Sequence, residues 1–322
     1  MTEFLALSGA VVPVFAIIGA GCLLRRCDWL TEDADHSLLK ICINLLIPAL
    51  IIDSILGNPR LRQLDNLLLP PLIGFAASTA CIGFGWLVSR WSGAANPSER
   101  RTFALTSGLQ NYLYYALPLT ALLFDSGTVG VLFVHNLGVE VVLWTVGVAV
   151  LSGQGLKGGW RGVFNAPIIA LVCSVCLNLA LGQAAWLRAL LPPGGPVLAT
   201  AHTLGQCAVP LALLLTGAIL ADHLHELRHA ASFRMIPAAL LVRFAIAPIL
   251  YLLIARCLPC SVELKRVLMI QGTLPSAMFP ILMTRRYGGD SRVALQVVLA
   301  TTIASLVMVP IWLRIGAAFL RQ

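Results

Sequence analysis

The sequence predicts an all-α polytopic membrane protein: ten transmembrane helices in two inverted five-helix repeats, with the fourth and ninth helices broken. Three observations carry this. Of 322 residues, 58% are hydrophobic and only 11% charged, against roughly 25% charged in a soluble domain. Apolar runs of bilayer-spanning length, about 20 residues, recur along the whole chain. Two of those runs, half a chain apart, carry amides and prolines in their interiors.

The ten runs fall at about 4–24, 36–56, 66–90, 101–124, 127–151, 165–186, 196–221, 234–256, 263–286 and 291–315. Breakers separate them, such as Gly57-Asn58-Pro59, Gly93 to Pro97, and Pro192-Pro193-Gly194-Gly195-Pro196. No connector is long enough for a soluble domain. The first run follows only Met1-Thr2-Glu3, and its charges, Arg25 and Arg26, come after it. A cleavable signal has the reverse order, so this segment is expected to stay, with its N-terminus outside.

The net charge of +8 does not point to nucleic acid, because the basic residues occupy short connectors and not one face or tail. The positive-inside bias accounts for them. Connectors after spans 1, 3, 5, 7 and 9 hold twelve Lys and Arg, and the opposite side holds eight. The first side is therefore expected to be cytoplasmic, with both termini outside the inner (plasma) membrane. Nine cysteines are present. Cys173 and Cys176 lie within a span and read as packing residues. Cys257 and Cys260 lie in a connector and leave a disulfide open if that connector faces an oxidising space.

Ten spans divide into five and five, and an odd number per half inverts the second half, a recurring transporter design. The repeats are expected at 1–151 and 165–322. Pro13 and Cys22 of span 1 correspond to Pro167 and Cys176 of span 6, a separation of 154 residues. Asn44-x-x-x-Pro48 in span 2 corresponds to Gln206-x-x-x-Pro210 in span 7, a separation of 162.

Span 4 reads GLQNYLYYALPLTALLF, with Gln110, Asn111, Tyr112 and Pro118; span 9 reads QGTLPSAMFPILMTRRY, with Gln271, Pro275, Ser276 and Pro280. In a bilayer core every freed backbone group and buried amide must find a partner in the protein or a ligand. One proline would simply kink a helix. A mirrored pair with adjoining amides reads as two interrupted helices around a polar ligand. Half-helix N-termini expose N–H groups that favour an anion, and Asn111 adds an amide donor. Asn44 and Gln206 are expected to face this gap, with Pro48, Pro118 and Pro210 as hinges.

Two ionisable residues fall deep in spans, Glu140 in span 5 and Arg243 in span 8. At matching depths they are expected to pair as a structural ion pair. The functional reading makes Arg243 an anion attractor and Glu140 a proton exchanger. His135 and His202 read as packed neutral histidines. His225-Glu226-Leu227-Arg228-His229 fits HExxH, the zinc motif of metalloproteases, but sits in a short charged connector without a third ligand.

The order of motifs resembles the auxin efflux carrier family, in its bacterial branch, within the bile acid/arsenite/auxin transporter superfamily. The motifs are Pro13 through Arg26 with Trp29 to Ala34; Asn44 to Leu50; Asn111 with Leu117-Pro118-Leu119; Leu274-Pro275-Ser276; Arg286 to Asp290; and Thr301 to Leu306 with Pro310. The resemblance implies that helices 4 and 9 cross where they break, with an organic carboxylate bound beside the crossing. It implies a scaffold of helices 1, 2, 6 and 7, a mobile unit of helices 3–5 and 8–10, elevator-like displacement, and often a homodimer. Two positions depart from family patterns: Tyr112 stands where plant members have proline after the crossing asparagine, and Phe279 where many bacterial members have asparagine. The connector from Ser152 to Gly162 replaces the long loop of many plant members. Bacterial members are linked to dicarboxylates such as malate or malonate.

Together these readings make the chain a secondary transporter of a small organic anion and not an enzyme, with no cofactor. The residues leave proton, sodium and uncoupled flux all open. The alternative is a membrane metalloprotease built on His225 and His229.

Overall fold

The computed structural model describes residues 2–153, 164–183, 191–192, 194–223 and 234–320. In chain order the helices are α1 (Thr2–Arg26), α2 (Glu32–Ile55), α3 (Asp65–Val88), α4 (Pro97–Gly108), α5 (Ala116–Leu123) and α6 (Ser126–Ser152). There follow α7 (Ala166–Gln183), α8 (Pro196–Asp222), α9 (Met235–Cys257), α10 (Val262–Thr273), α11 (Phe279–Tyr287) and α12 (Ser291–Leu320). Among the described residues no strand occurs beyond a single isolated bridge.

Among the described residues six helices, α2, α3, α6, α8, α9 and α12, are long and apolar enough to cross a membrane. Large apolar side chains such as Leu72, Leu253 and Val307 point outward from them. A water-soluble bundle would present its polar faces there. The chain is a multi-pass membrane protein.

The runs read as spans 4 and 9 are each two short helices, α4 with α5 and α10 with α11. Ordinary cap chemistry starts the first member of each pair. The Asn96 side chain accepts from the Glu99 amide at 2.9 Å, and the Ser261 hydroxyl accepts from the Leu264 amide at 3.2 Å, satisfying N–H groups that a helix start leaves free.

Glycines fix how closely the long helices meet. A Cβ on Gly217 of α8 would lie 1.9 Å from the Ile18 carbonyl of α1, and one on Gly21 would lie 2.1 Å from the Leu214 carbonyl. Gly138 of α6 and Gly74 of α3 form a second reciprocal pair, at 1.9 Å from the Pro71 carbonyl and 2.4 Å from the His135 carbonyl. Only a missing side chain permits backbones this close. Arg25 ties α1 to Asp35 of α2 and to Asp222 of α8.

Among the described residues three helices contain a π-helical turn: Cys42–Leu46 in α2, Leu143–Gly147 in α6 and Val242–Ile246 in α9. Such turns shift side-chain register and concentrate at functional sites. Hydropathy does not register them.

Candidate substrate site at the broken helices

The two interruptions meet. After α4 ends at Gly108 the chain runs extended, as it does after α10 ends at Thr273, and Gln110 lies opposite Ser276 in an antiparallel bridge. The Asn111 amide donates to the Pro275 carbonyl at 2.8 Å, and the Ala277 amide donates to the Leu109 carbonyl at 2.9 Å. The pairing supplies backbone partners that each helix loses by stopping, as an apolar interior demands. Pro275 contributes only its carbonyl. Pro118 and Pro280 lie in the first turns of α5 and α11, where an amide proton has no helical acceptor.

Side chains from the surrounding helices brace the bridge. The Gln110 amide nitrogen donates to the Tyr251 hydroxyl at 2.7 Å and to Ser78 at 3.3 Å. The Ser276 amide donates to the Thr301 hydroxyl at 3.2 Å. Gln271 donates to the Asn136 side-chain oxygen at 2.7 Å, and Asn136 donates to the Tyr112 carbonyl at 2.9 Å. Arg243 lies fully buried behind the bridge, its guanidinium on the Leu274 and Gly108 carbonyls.

A cavity of about 260 Å³ opens on the other face, lined by Asn111, Tyr112, Ala277 and Met278 of the crossing segments, Glu140 and Trp144 of α6, Ile43 and Ile47 of α2, and Asn165 before α7. The Asn111 side-chain nitrogen is buried without a partner at this wall. Glu140 accepts from the Tyr112 hydroxyl at 2.7 Å and from the Trp144 indole at 3.0 Å, and also bonds the Asn165 side chain. Among the described residues no basic side chain lines this cavity.

A second, larger and mostly apolar cavity of about 500 Å³ is bounded by Leu50 and Ser54 of α2, Pro118 and Ala121 of α5, and Gln206 and Pro210 of α8. Ile43 and Leu50 are seven residues apart, about 10 Å along a helix. The two cavities therefore lie at different levels of the same interface, one on either side of the start of α5.

The model of a family described as membrane transport protein matches residues 6–160 and 155–313. The chain belongs to that family. It is the auxin efflux carrier-like group whose motifs the sequence resembles. An uncharacterized transporter of Methanothermobacter thermautotrophicus is 27% identical over 96% of this chain and 98% of its own. The chain is a membrane transporter.

The transporter gathers some expected site residues and disperses others. Asn111, Tyr112 and Glu140 share the smaller cavity. Gln110, Pro275, Ser276 and Pro280 build the crossing without lining it. Asn44 is exposed and bonds the Lys40 carbonyl of its own helix at 2.8 Å, so it does not face the gap. Gln206 and Pro210 border the larger cavity, as does Pro118, while Pro48 lines neither.

The expected ion pair does not form: Glu140 faces the cavity and Arg243 the back of the crossing, because equal depth does not fix rotation about a helix axis. Arg243, wholly buried on carbonyls, is not placed to attract an anion into the cavity. His202 is exposed, not packed, with Nδ1 3.0 Å from Asp53 and Nε2 2.7 Å from the Gln206 amide nitrogen. His135 is buried, as expected. Cys257 and Cys260 are free thiols.

The HExxH motif lies outside the described residues, and membership in a transport family gives a protease no support. Among the described residues no group of three or more His, Cys, Asp or Glu could hold a metal ion. Trp144, Asn165, Ser78 and Tyr251 carried no sequence signal. Only their polar atoms in apolar runs set them apart.

Proposed function

We propose that this chain is a secondary transporter, not an enzyme, moving a small organic carboxylate by elevator-type alternating access. The observation that carries this is Asn111: a buried amide donor without a partner, on the wall of an apolar cavity at two paired helix breaks. The α11 N-terminus at Ala277 to Phe279 borders the same cavity and adds the positive end of a helix dipole. A carboxylate suits both.

The architecture proposed is ten spans in two inverted repeats, 1–151 and 165–322, with both termini outside the inner membrane. Spans 1, 2, 6 and 7 form a scaffold, often dimeric in relatives of this kind, and spans 3–5 and 8–10 move together. The two reciprocal glycine pairs favour this division: Gly21 with Gly217 joins two scaffold helices, and Gly74 with Gly138 joins two mobile ones. Cavities at two levels of the α2 interface suit access from either side.

Glu140 makes a proton the favoured coupling ion. The cavity offers an incoming anion one carboxyl group and, among the described residues, no cation. An anion and an ionised Glu140 repel in a site of low polarity; protonation removes the conflict. Uptake of labelled mono- and dicarboxylates, malate and malonate included, into proteoliposomes with and without an imposed proton gradient tests the proposal. Gradient-driven accumulation of one of them is expected. No movement of any carboxylate under any gradient would contradict it.

A further inference from the structure

Among the described residues Arg243 is the largest fully buried side chain, and no carboxylate among them pairs with it. An isolated buried cation is costly unless something negative compensates it. Here the compensation is backbone. Nε and one terminal nitrogen donate to the Leu274 carbonyl at 3.1 and 2.8 Å, and the other terminal nitrogen donates to the Gly108 carbonyl at 3.4 Å. Gly108 is the last residue of α4, and Leu274 caps α10.

The guanidinium thus sits on the C-terminal ends of both first half-helices. Each such end carries about half a negative charge, so the two together roughly match one guanidinium. Two converging helix C-termini with free carbonyl oxygens are also what a hard metal cation would seek. The planar fork of arginine bridges the carbonyls of two chain segments, which a point-charge ammonium does less well. The π-helical turn Val242–Ile246 carries Arg243 at this level of α9.

We propose that Arg243 is the resident cation of the crossing: its guanidinium fills the electronegative gap between the two half-helix ends that a bound metal cation would otherwise fill, so substrate movement through this chain requires no Na+. Arg243 is a positioning residue, holding α4 and α10 together at the back of the site without touching the cavity. The transport consequence rests on the carrier reading above; cation binding at the crossing can be read on the purified protein without any substrate.

The test is thermal unfolding of the purified full chain in NaCl and in choline chloride at equal ionic strength, followed by tryptophan fluorescence. Wild type is expected to melt identically in both. Arg243→Ala is expected to melt several degrees lower and to regain stability, saturably, with Na+ or with low millimolar guanidinium ion, but not with choline. Arg243→Lys, which keeps a charge, is expected to melt below wild type yet remain indifferent to Na+. A merely structural arginine would give neither the cation response nor the guanidinium rescue.

Saturable stabilisation of wild type by Na+ would overturn the proposal, as would a folded Arg243→Ala blind to both ions. A Na+ response in Arg243→Lys equal to that of the alanine variant would overturn it too. Should Arg243→Ala not fold, Arg243→Gln takes its place under the same expectations. If the cation responses are as expected but no carboxylate is transported, the carrier reading fails while the resident-cation assignment stands.

Discussion

Replacing Glu140 by glutamine tests how charge in the cavity controls substrate. Glutamine can keep the Tyr112 and Trp144 contacts of the glutamate: its oxygen accepts from the Trp144 indole and its amide donates to the Tyr112 hydroxyl, which takes either role. Geometry is held while the charge is removed. A sphere of 260 Å³ has a radius of about 4 Å, which puts the charge of a bound carboxylate about 6 Å from Glu140. At an effective dielectric constant of about 20, two like charges at that separation repel by nearly 3 kcal/mol, about 100-fold in affinity. Competition binding of the transported carboxylate to purified protein from about pH 5 to about pH 8 reads this directly, a dicarboxylate being followed only above about pH 6, where both of its groups are largely ionised. Wild-type affinity should weaken with rising pH by up to about 100-fold, the repulsion worked out above between two ionised carboxylates. Glu140→Gln should hold the tighter value throughout, and its uptake should no longer respond to a proton gradient. An unchanged pH dependence in Glu140→Gln, or binding weakened at every pH, would refute the reasoning.

Two stability effects follow from the packing and capping. A methyl group on Gly217 would fall 1.9 Å from the Ile18 carbonyl, so Gly217→Ala must push α8 from α1, at a cost of about 1–3 kcal/mol; a lowered melting temperature checks this. Asp125 caps α6, accepting from the Thr128 amide at 3.0 Å and its hydroxyl at 2.6 Å, and Asp125→Ala should cost about 1 kcal/mol. The bonds from the Thr128 hydroxyl and amide hold the Asp125 carboxyl below its ordinary value. Its contribution is therefore complete above the ordinary carboxylate pKa and is lost as pH falls through the lowered one. The melting difference between wild type and Asp125→Ala should be steady from about pH 7 to about pH 5 and shrink toward about pH 3.

The helix breaks were legible because their chemistry is local. Three amides and three prolines inside two bilayer-length runs state a conflict that only interrupted helices resolve, and both interruptions lie where Asn111 and Pro275 indicate. Direction around a helix was not legible. Asn44 reads as a polar residue seeking a partner across the gap, yet a helical asparagine can bond the carbonyl four residues back, as Asn44 does to Lys40. Glu140 and Arg243 match in depth but face different partners. Each lies in or just before a π-helical turn, whose five-residue register no hydropathy pattern encodes. Tyr251 and Trp144 pass as apolar aromatics in sequence. Only their placement beside Gln110 and Glu140 shows the use of a hydroxyl and an indole N–H.

Uptake by Asn111→Ala beside Asn44→Ala, in proteoliposomes with the carboxylate that wild type accumulates, tests the crossing as the substrate site most directly. Both variants remove one amide from a helix-rich apolar region, but only Asn111 lines the cavity at the bridge. Uptake abolished in Asn111→Ala and retained in Asn44→Ala, at equal amounts of folded protein, is the predicted result. Wild-type uptake in Asn111→Ala would contradict it and move the substrate elsewhere, with the larger cavity beside Pro118 and Gln206 the next place to look.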